Sequence, residues 1–326
     1  DYQSWVAGQG KSRYIVTLLT RKVTAEQLRR VSAITAKYNL NIDHIDRLSG
    51  RMPLDMPADK GKGCIEFSVR GEPADVAALR AEFLSVAQEL NVDIAFQRDS
   101  VYRRNRRLAV FDMDSTLIQA EVIDELARRH GVYAEVAAIT ERAMRGELDF
   151  QQSFRERMAK LEGLDEAVLA EIADELPLMD GVERLMGHLK RLGYRTAILS
   201  GGFTYFARHL QQKLGFDEIH ANELVIENGK VTGEVREPIL DASRKAELLR
   251  EIAAREGFTM EQTIAVGDGA NDLKMLAAAG LGIAYRAKPL VRSQARQSIS
   301  TLGLDAVLYL MGYREGDLED DSRAAQ

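Results

Sequence analysis

Two acids stand one residue apart at Asp112 and Asp114, directly after the apolar run Leu108-Ala-Val-Phe111. Such a run reads as a buried strand, and a strand that ends in two carboxylates builds an anionic pocket where α/β folds bind ligands. Alone the pair is weak, because Asp also serves turns and helix N-caps. A second group, Gly267-Asp268-Gly269-Ala270-Asn271-Asp272, follows the strand-like Thr263–Val266. Its glycines permit close approach of backbone and ligand, and two carboxylates with an amide invite a hard cation; the bland reading is a tight turn. Between these groups, Ser200-Gly201-Gly202 ends the strand-like run Tyr194–Leu199, and Lys245 lies near the start of a helical stretch opened by Asp241. A hydroxyl with unhindered N–H groups at a strand-to-helix turn can hold an anion. Ser-Gly-Gly is equally an ordinary turn, and a single helix lysine ordinarily faces solvent.

The elements that must position these residues alternate. Residues 108–312 switch between strand-like and helical segments, the pattern of a parallel sheet with helices on both faces. Four amphipathic stretches, Gln119–His130, Ala134–Arg145, Phe150–Leu161 and Glu166–Glu175, follow one another with no strand between them. They read as a helical-bundle cap, about 119–176, over the first strand's end. Pro177 closes it and a helix over Gly181–Leu192 returns the chain to the sheet. Further helices are expected over Phe203–Leu214, from Asp241 to Glu256 and over Leu273–Ala279, and Leu224–Val235 around Asn228-Gly229 reads as a hairpin.

The first hundred residues have a different pattern. Arg13–Thr20 reads as a strand, Thr24–Tyr38 as a helix with Thr24 as N-cap, and Asn41–Leu48 as a second strand. A Pro/Gly-rich loop over Arg51–Gly61 precedes a strand at Gly63–Val69, a helix at Ala74–Leu90 and a strand at Val92–Phe96. The order β-α-β-β-α-β is a ferredoxin-like α+β sandwich. The expected organisation is therefore a first domain over 1–100, a linker over 101–107 and a second domain over 108–326. In the linker, Arg103-Arg-Asn-Arg-Arg107 reads as a solvated segment or as packing partners ahead of a nucleic-acid arm.

Bulk properties narrow the function classes. A chain of 326 residues with 45% hydrophobic and 29% charged residues has the composition of a folded, two-domain protein. Its net charge of −6 gives no general attraction to nucleic acid or anionic lipid. The one cysteine, Cys64, suits a reducing compartment. No apolar run is long enough to cross a bilayer and the start lacks a secretory pattern, so neither a membrane nor a nucleic-acid partner is expected and a cytoplasmic location is. The sequence begins at Asp1 rather than Met, which leaves room for a native N-terminus beyond it.

Taken jointly, strand–Asp-x-Asp-x-Thr, strand–Ser-Gly, a helix-start Lys and strand–Gly-Asp-x-x-Asn-Asp resemble the haloacid dehalogenase superfamily, in that order and on one framework. The resemblance implies phosphomonoester hydrolysis on a Rossmann-like sheet with a helical cap. It makes Asp112 the nucleophile that forms an aspartyl-phosphate and Asp114 the general acid and base. It implies Mg²⁺, held by Asp112, the backbone carbonyl of Asp114, and Asp268. Ser200, the Gly201 N–H and Lys245 would bind phosphoryl oxygens, Asn271 would orient the phosphate, and Asp272 would support Lys245 or the metal shell.

Within that superfamily the chain is similar to the phosphoserine phosphatases. Asp114-Ser-Thr-Leu-Ile-Gln-Ala-Glu121, together with Met144, Phe150 and Ser153-Phe-Arg-Glu-Arg157-Met, carries this likeness. It implies hydrolysis of phosphoserine to serine and phosphate, the last step of serine biosynthesis. Phosphoserine is a zwitterion beyond its phosphate, so Glu121 would take its ammonium and Arg157 its carboxylate. Met144 and Phe150 would exclude water as the cap closes; core packing is their bland alternative, and a solvated helix face that of the charged pair. The first domain resembles ACT domains, which implies a small amino-acid effector and a homodimer paired through its sheets. A purely structural or dimerising role stays open. The competing readings are another small phosphomonoester, transfer to an alcohol acceptor, or an amino-acid-sensing interaction protein on a disused phosphatase fold.

Overall fold

In the computed structural model, which describes residues 12–51, 55–57 and 60–318, the chain divides into two units. One runs over Arg107–Gly282; the other joins the residues up to Arg106 with those from Ile283 onward. The expected start before Ser12 lies outside the described residues, as do 52–54 and 58–59 of the loop Arg51–Gly61.

The unit that begins the chain contains β1 (Arg13–Thr20), α1 (Ala25–Lys37), β2 (Asn41–Arg47), β3 (Gly63–Arg70), α2 (Val76–Leu90) and β4 (Asp93–Arg98). Its antiparallel sheet has the order β2-β3-β1-β4. Thr24 caps α1 in a full capping box: the Gln27 N–H donates to Thr24 Oγ1 at 3.3 Å and the Thr24 N–H to Gln27 Oε1 at 3.0 Å. Strand alternation aims Val16, Leu18, Phe67 and Val69 at Val31, Ile34, Leu79 and Phe83, and all eight are buried. In the arginine segment, Arg103 and Arg106 are buried packing partners. Arg103 grips both oxygens of Glu66, at 3.3 and 2.5 Å, and Arg106 Nη1 donates to the Arg103 carbonyl at 2.6 Å.

The second unit is a layered α/β structure. Its elements are β5 (Leu108–Phe111), α3 (Val122–His130), α4 (Tyr133–Met144), α5 (Phe150–Ala159), α6 (Ala167–Glu175), α7 (Val182–Arg191) and β6 (Arg195–Phe203). There follow α8 (Thr204–Leu214), β7 (Glu218–Asn222), β8 (Leu224–Glu227), β9 (Lys230–Val235), α9 (Ala242–Arg255), β10 (Thr263–Gly267) and α10 (Leu273–Ala278). Parallel strands run in the order β10-β5-β6-β7. Every residue of β5 and β10 is buried, which is why these central strands read as unbroken apolar runs.

Two features depart from the pattern the sequence suggests. Strand β6 does not stop at Leu199 but continues through Ser200-Gly201-Gly202 to Phe203. Its register against β7 passes from Leu199↔His220 to Phe203↔Asn222, so three residues of β6 oppose one of β7 and the strand bulges. The hairpin turn has φ values of 51° at Asn228 and 74° at Gly229, as a type I′ turn requires. The hairpin is also part of the cap: the Gly163 N–H donates to the Val231 carbonyl at 2.8 Å and the Glu166 N–H to the Gly229 carbonyl at 2.8 Å.

The last segments, β11 (Leu281–Tyr285), α11 (Pro289–Gln294), β12 (Gln297–Ile299) and α12 (Val307–Leu310), complete the chain's order, and β11 pairs with β12 in parallel. Beyond Ile283 they are tied to β4. The Gln297 side chain donates to the Phe96 carbonyl at 2.7 Å and accepts the Phe96 N–H at 3.0 Å. Buried Asp93 accepts the Ser300 and Thr301 N–H groups at 2.8 and 2.9 Å.

Candidate active site

Parallel neighbours deliver their carboxyl ends to one edge, which brings three chemically distinct turns together within the unit Arg107–Gly282. Asp112 and Asp114 follow β5, Gly267–Asp272 closes β10, and Ser200–Gly202 forms the bulge of β6. Lys245 lies in the first turn of α9. That turn is capped by Asp241, whose carboxylate accepts the Ser243 and Arg244 N–H groups, each at 3.0 Å.

Lys245 is the centre of the group. It is fully buried, against the ordinary expectation for a helix lysine. Its Nζ lies 2.7 Å from Asp272 Oδ1 and 3.0 Å from Asp112 Oδ1. Asp272 Oδ2 accepts the Asp268 N–H at 3.1 Å and the Gly269 N–H at 3.0 Å, which folds the Gly267–Asp272 turn back on itself. Asp112 Oδ1 also accepts the Met113 N–H at 2.7 Å. Asp114 Oδ1 accepts the Val122 N–H at the start of α3, at 3.3 Å, and Ser200 Oγ accepts the Gly202 N–H at 2.9 Å.

Crowding of acids around one cation sets the electrostatics. Burial pushes the Asp112 carboxyl well above the usual range, the Asp272 charge adds to this, and Lys245 opposes it. Burial also raises Asp114 well above that range; Glu121 reinforces the shift and the Val122 N–H works against it. Asp268 is pushed up to about 7 by burial, then by Asp272 and Glu121, with the Thr116 hydrogen bond and Lys245 opposing. For Lys245 burial disfavours the charge, but Asp112 and Asp272 more than offset it and its pKa rises. Asp112 and Asp272 thus favour the charged form of Lys245, and the carboxyls around it outnumber that one cation.

That donor set fits a hard divalent cation. Asp112, Asp268 and Asp272 each offer a carboxylate oxygen, all within 4.8 Å of one another. The oxygens of Asp272 already take hydrogen bonds from Lys245 and from two backbone N–H groups, so Asp112 and Asp268 have the greater capacity left.

The cap supplies a different chemistry. Arg157 on α5 donates through Nε to the Ser153 carbonyl at 3.3 Å, and among the described residues no carboxylate lies within 4.0 Å of it. Burial lowers its pKa, while the charges of Glu121, Asp124 and Asp114 act to raise it. Glu121, the residue before α3, accepts the Ser115 hydroxyl at 2.7 Å. Phe150 lies against Gly201: a Cβ added there would meet the ring's Cζ at 3.2 Å. Met144 stands 69% exposed at the end of α4. The side chain of Asn271 turns toward Gly269, where an added Cβ would lie 2.2 Å from its Oδ1.

Comparison with known proteins gives the family. Residues 107–280 match the haloacid dehalogenase-like hydrolase family, and residues 12–97 match the ACT domain. A phosphoserine phosphatase from Streptomyces coelicolor is 44% identical over 311 residues, covering 95% of this chain and 73% of that protein. The chain belongs to the phosphoserine phosphatase family of haloacid dehalogenase-like hydrolases. A solved HAD family hydrolase from Salmonella enterica serovar Typhi is similar at a TM-score of 0.78 and 30% identity, covering 92% of this chain and 99% of that one. A phosphoserine phosphatase solved as a phospho-aspartyl intermediate analogue is similar at a TM-score of 0.59 and 41% identity, covering 63% and 98%.

In this member of the phosphoserine phosphatase family, two residues without an assigned role prove integral to the site. Thr116, fully buried, donates from Oγ1 to Asp268 Oδ1 at 3.0 Å and so couples the β5 turn to the β10 turn. Its place in Asp-x-Asp-x-Thr was the available signal. Gly202 has no space for a side chain: a Cβ would lie 2.7 Å from Asp114 Oδ2 and 2.8 Å from Met113 Cε. Nothing local in Ser-Gly-Gly distinguishes that requirement from an ordinary turn.

Proposed function

We propose that this chain hydrolyses O-phospho-L-serine to L-serine and phosphate through an aspartyl-phosphate on Asp112. The observation that carries the assignment of roles is the unequal setting of the two carboxyls after β5. Asp112 has the Lys245 ammonium 3.0 Å away, which favours the ionised, nucleophilic form against the burial that raises its pKa. Asp114 is raised by burial and by Glu121, which favours the protonated form an acid needs. The Asp112 carboxylate attacks phosphorus, the bond from phosphorus to the serine oxygen breaks, and Asp114 gives its proton to that oxygen. Asp114 then takes a proton from water as the water oxygen attacks the acyl-phosphate, which frees Asp112 and phosphate.

Ser200, the Gly201 N–H and Lys245 hold phosphoryl oxygens in this scheme, and Asn271 orients the group. Asp272 keeps Lys245 in place through the 2.7 Å contact. Mg²⁺, with Asp112, Asp268 and the backbone carbonyl of Asp114 as its ligands, would supply charge neutralisation on the phosphoryl oxygens. Arg157, with no carboxylate within 4.0 Å among the described residues, binds the substrate carboxylate, and Glu121 binds its ammonium. Phe150 excludes water over Gly201, and Met144 would join it when the cap closes. The ACT domain is the seat of an amino-acid effector and of pairing into a homodimer. A cytoplasmic setting matches the expected chemistry, and among the described residues no helix is long and apolar enough to cross a membrane.

The test is phosphate release from phosphoserine, phosphothreonine and phosphoglycolate, with and without Mg²⁺, for the wild type and Asp112→Asn. Mg²⁺-dependent turnover that prefers phosphoserine and disappears in a folded Asp112→Asn is expected. Preference for another ester would replace the substrate, and full activity in Asp112→Asn would remove the mechanism.

A further inference from the structure

The bulge of β6 creates a structural problem that one side chain solves. Between Leu199 and Phe203 the strand loses its one-to-one register with β7, so the Gly201 carbonyl no longer has a regular ladder partner there. An unsatisfied carbonyl in a half-buried turn is costly, and a free one would let the peptide rotate. Asn222, at the end of β7 and 4% exposed, fills the position: its Nδ2 donates to the Gly201 carbonyl at 2.9 Å. Its Oδ1 accepts the Leu240 N–H at 2.8 Å. Only one amide orientation satisfies both partners, because one offers a lone pair and the other a proton.

Each partner leads directly into the group proposed to hold phosphate. The peptide whose oxygen Asn222 holds carries the Gly202 N–H, and that N–H donates to Ser200 Oγ at 2.9 Å. Fixing this peptide plane leaves the Ser200 hydroxyl proton free to point elsewhere. Leu240 precedes Asp241, the N-cap of α9, and the Lys245 N–H donates to the Asp241 carbonyl at 3.0 Å. Asn222 is itself held, since its backbone carbonyl accepts the Thr204 hydroxyl at 3.0 Å.

We propose that Asn222 is a positioning residue that sets the Ser200–Gly202 turn and the Lys245-bearing start of α9 at a fixed separation for the phosphoryl group. This rests on the phosphatase reading above. A displacement of about 1 Å in such a site costs on the order of 10²-fold in rate. The loss should fall on the phosphate half of the substrate and spare the amino-acid half.

The experiment measures kcat and KM on phosphoserine and on an aryl phosphate, with inhibition constants for inorganic phosphate and for L-serine, in Asn222→Ala and Asn222→Leu. The leucine variant fills the same space and decides the matter if the alanine variant does not fold. Expected is a fall in kcat of roughly 10- to 100-fold on both substrates. Phosphate inhibition should weaken by a similar factor while serine inhibition stays within about twofold, the discrimination that separates the two halves of the site. A folded variant with a lower melting temperature but unchanged kcat and phosphate inhibition would show a merely structural amide and overturn the proposal. A wild type that neither releases phosphate from phosphoserine nor binds inorganic phosphate would instead overturn the phosphatase reading itself.

Discussion

Replacing Lys245 by methionine tests whether one buried charge holds the catalytic turns together. Methionine keeps most of the apolar stem and removes the ammonium that lies 2.7 Å from Asp272 and 3.0 Å from Asp112. Removing one partner from a buried ion pair costs about 3–5 kcal/mol, because the remaining charge is left without compensation. At roughly 2–4 °C per kcal/mol for a unit of this size, the melting temperature should fall by about 6–20 °C. The pH dependence separates this cause from lost packing. In the wild type the lysine pKa is raised, so its contribution is complete below its unfolded value and is lost only as pH climbs through the folded one, far above neutrality. In Lys245→Met the Asp112 carboxyl, already raised by burial, loses the cation that opposed the shift. The folded state then holds that proton more tightly than the unfolded state, so stability declines as pH rises above the ordinary aspartate value. Urea unfolding without divalent cations at pH 5.5 and pH 8 should therefore show a small deficit at the lower pH and a large one at the higher. Added Mg²⁺ should recover part of it at pH 8. A deficit of the same size at both values, or none, would refute the charge argument.

Three further outcomes follow from the same geometry. Arg157→Ala should lose about 2–5 kcal/mol of transition-state binding on phosphoserine and far less on an aryl phosphate, read from kcat/KM; equal losses would place Arg157 outside substrate recognition. Gly202→Ala should fold yet lose on the order of 10²-fold in turnover, because its Cβ would lie 2.7 Å from Asp114 Oδ2; near-wild-type kcat would show that the turn yields freely. With Asp268 pushed up to about 7, a cation must displace its proton below that pH, so calorimetry should find Mg²⁺ binding weaker at pH 6 than at pH 8, and a flat profile would count against Asp268 as a ligand.

Local chemistry made much of this protein legible in one dimension. Apolar runs ending in acids marked β5 and β10, Thr24 ahead of a helically spaced apolar run marked the start of α1, and Asn228-Gly229 marked the hairpin. These signals act within a few residues and need no partner. The acids and the lysine could likewise be chosen by type and order, because phosphoryl chemistry limits which groups can serve. What the sequence left open depends on distant partners. The burial of Lys245 is decided by Asp112 and Asp272, and the continuation of β6 through Ser200–Gly202 by its register with β7. The grouping of the segment beyond Ile283 with β4 rests on Gln297 and Asp93, whose partners lie about two hundred positions away in the chain and leave no periodic trace. Asn222 gives no local sign at all, since its role exists only once a bulge has freed the carbonyl of Gly201. Periodicity and capping report what a segment prefers by itself, whereas burial of charge and repair of a broken ladder are properties of contacts that only the folded chain creates.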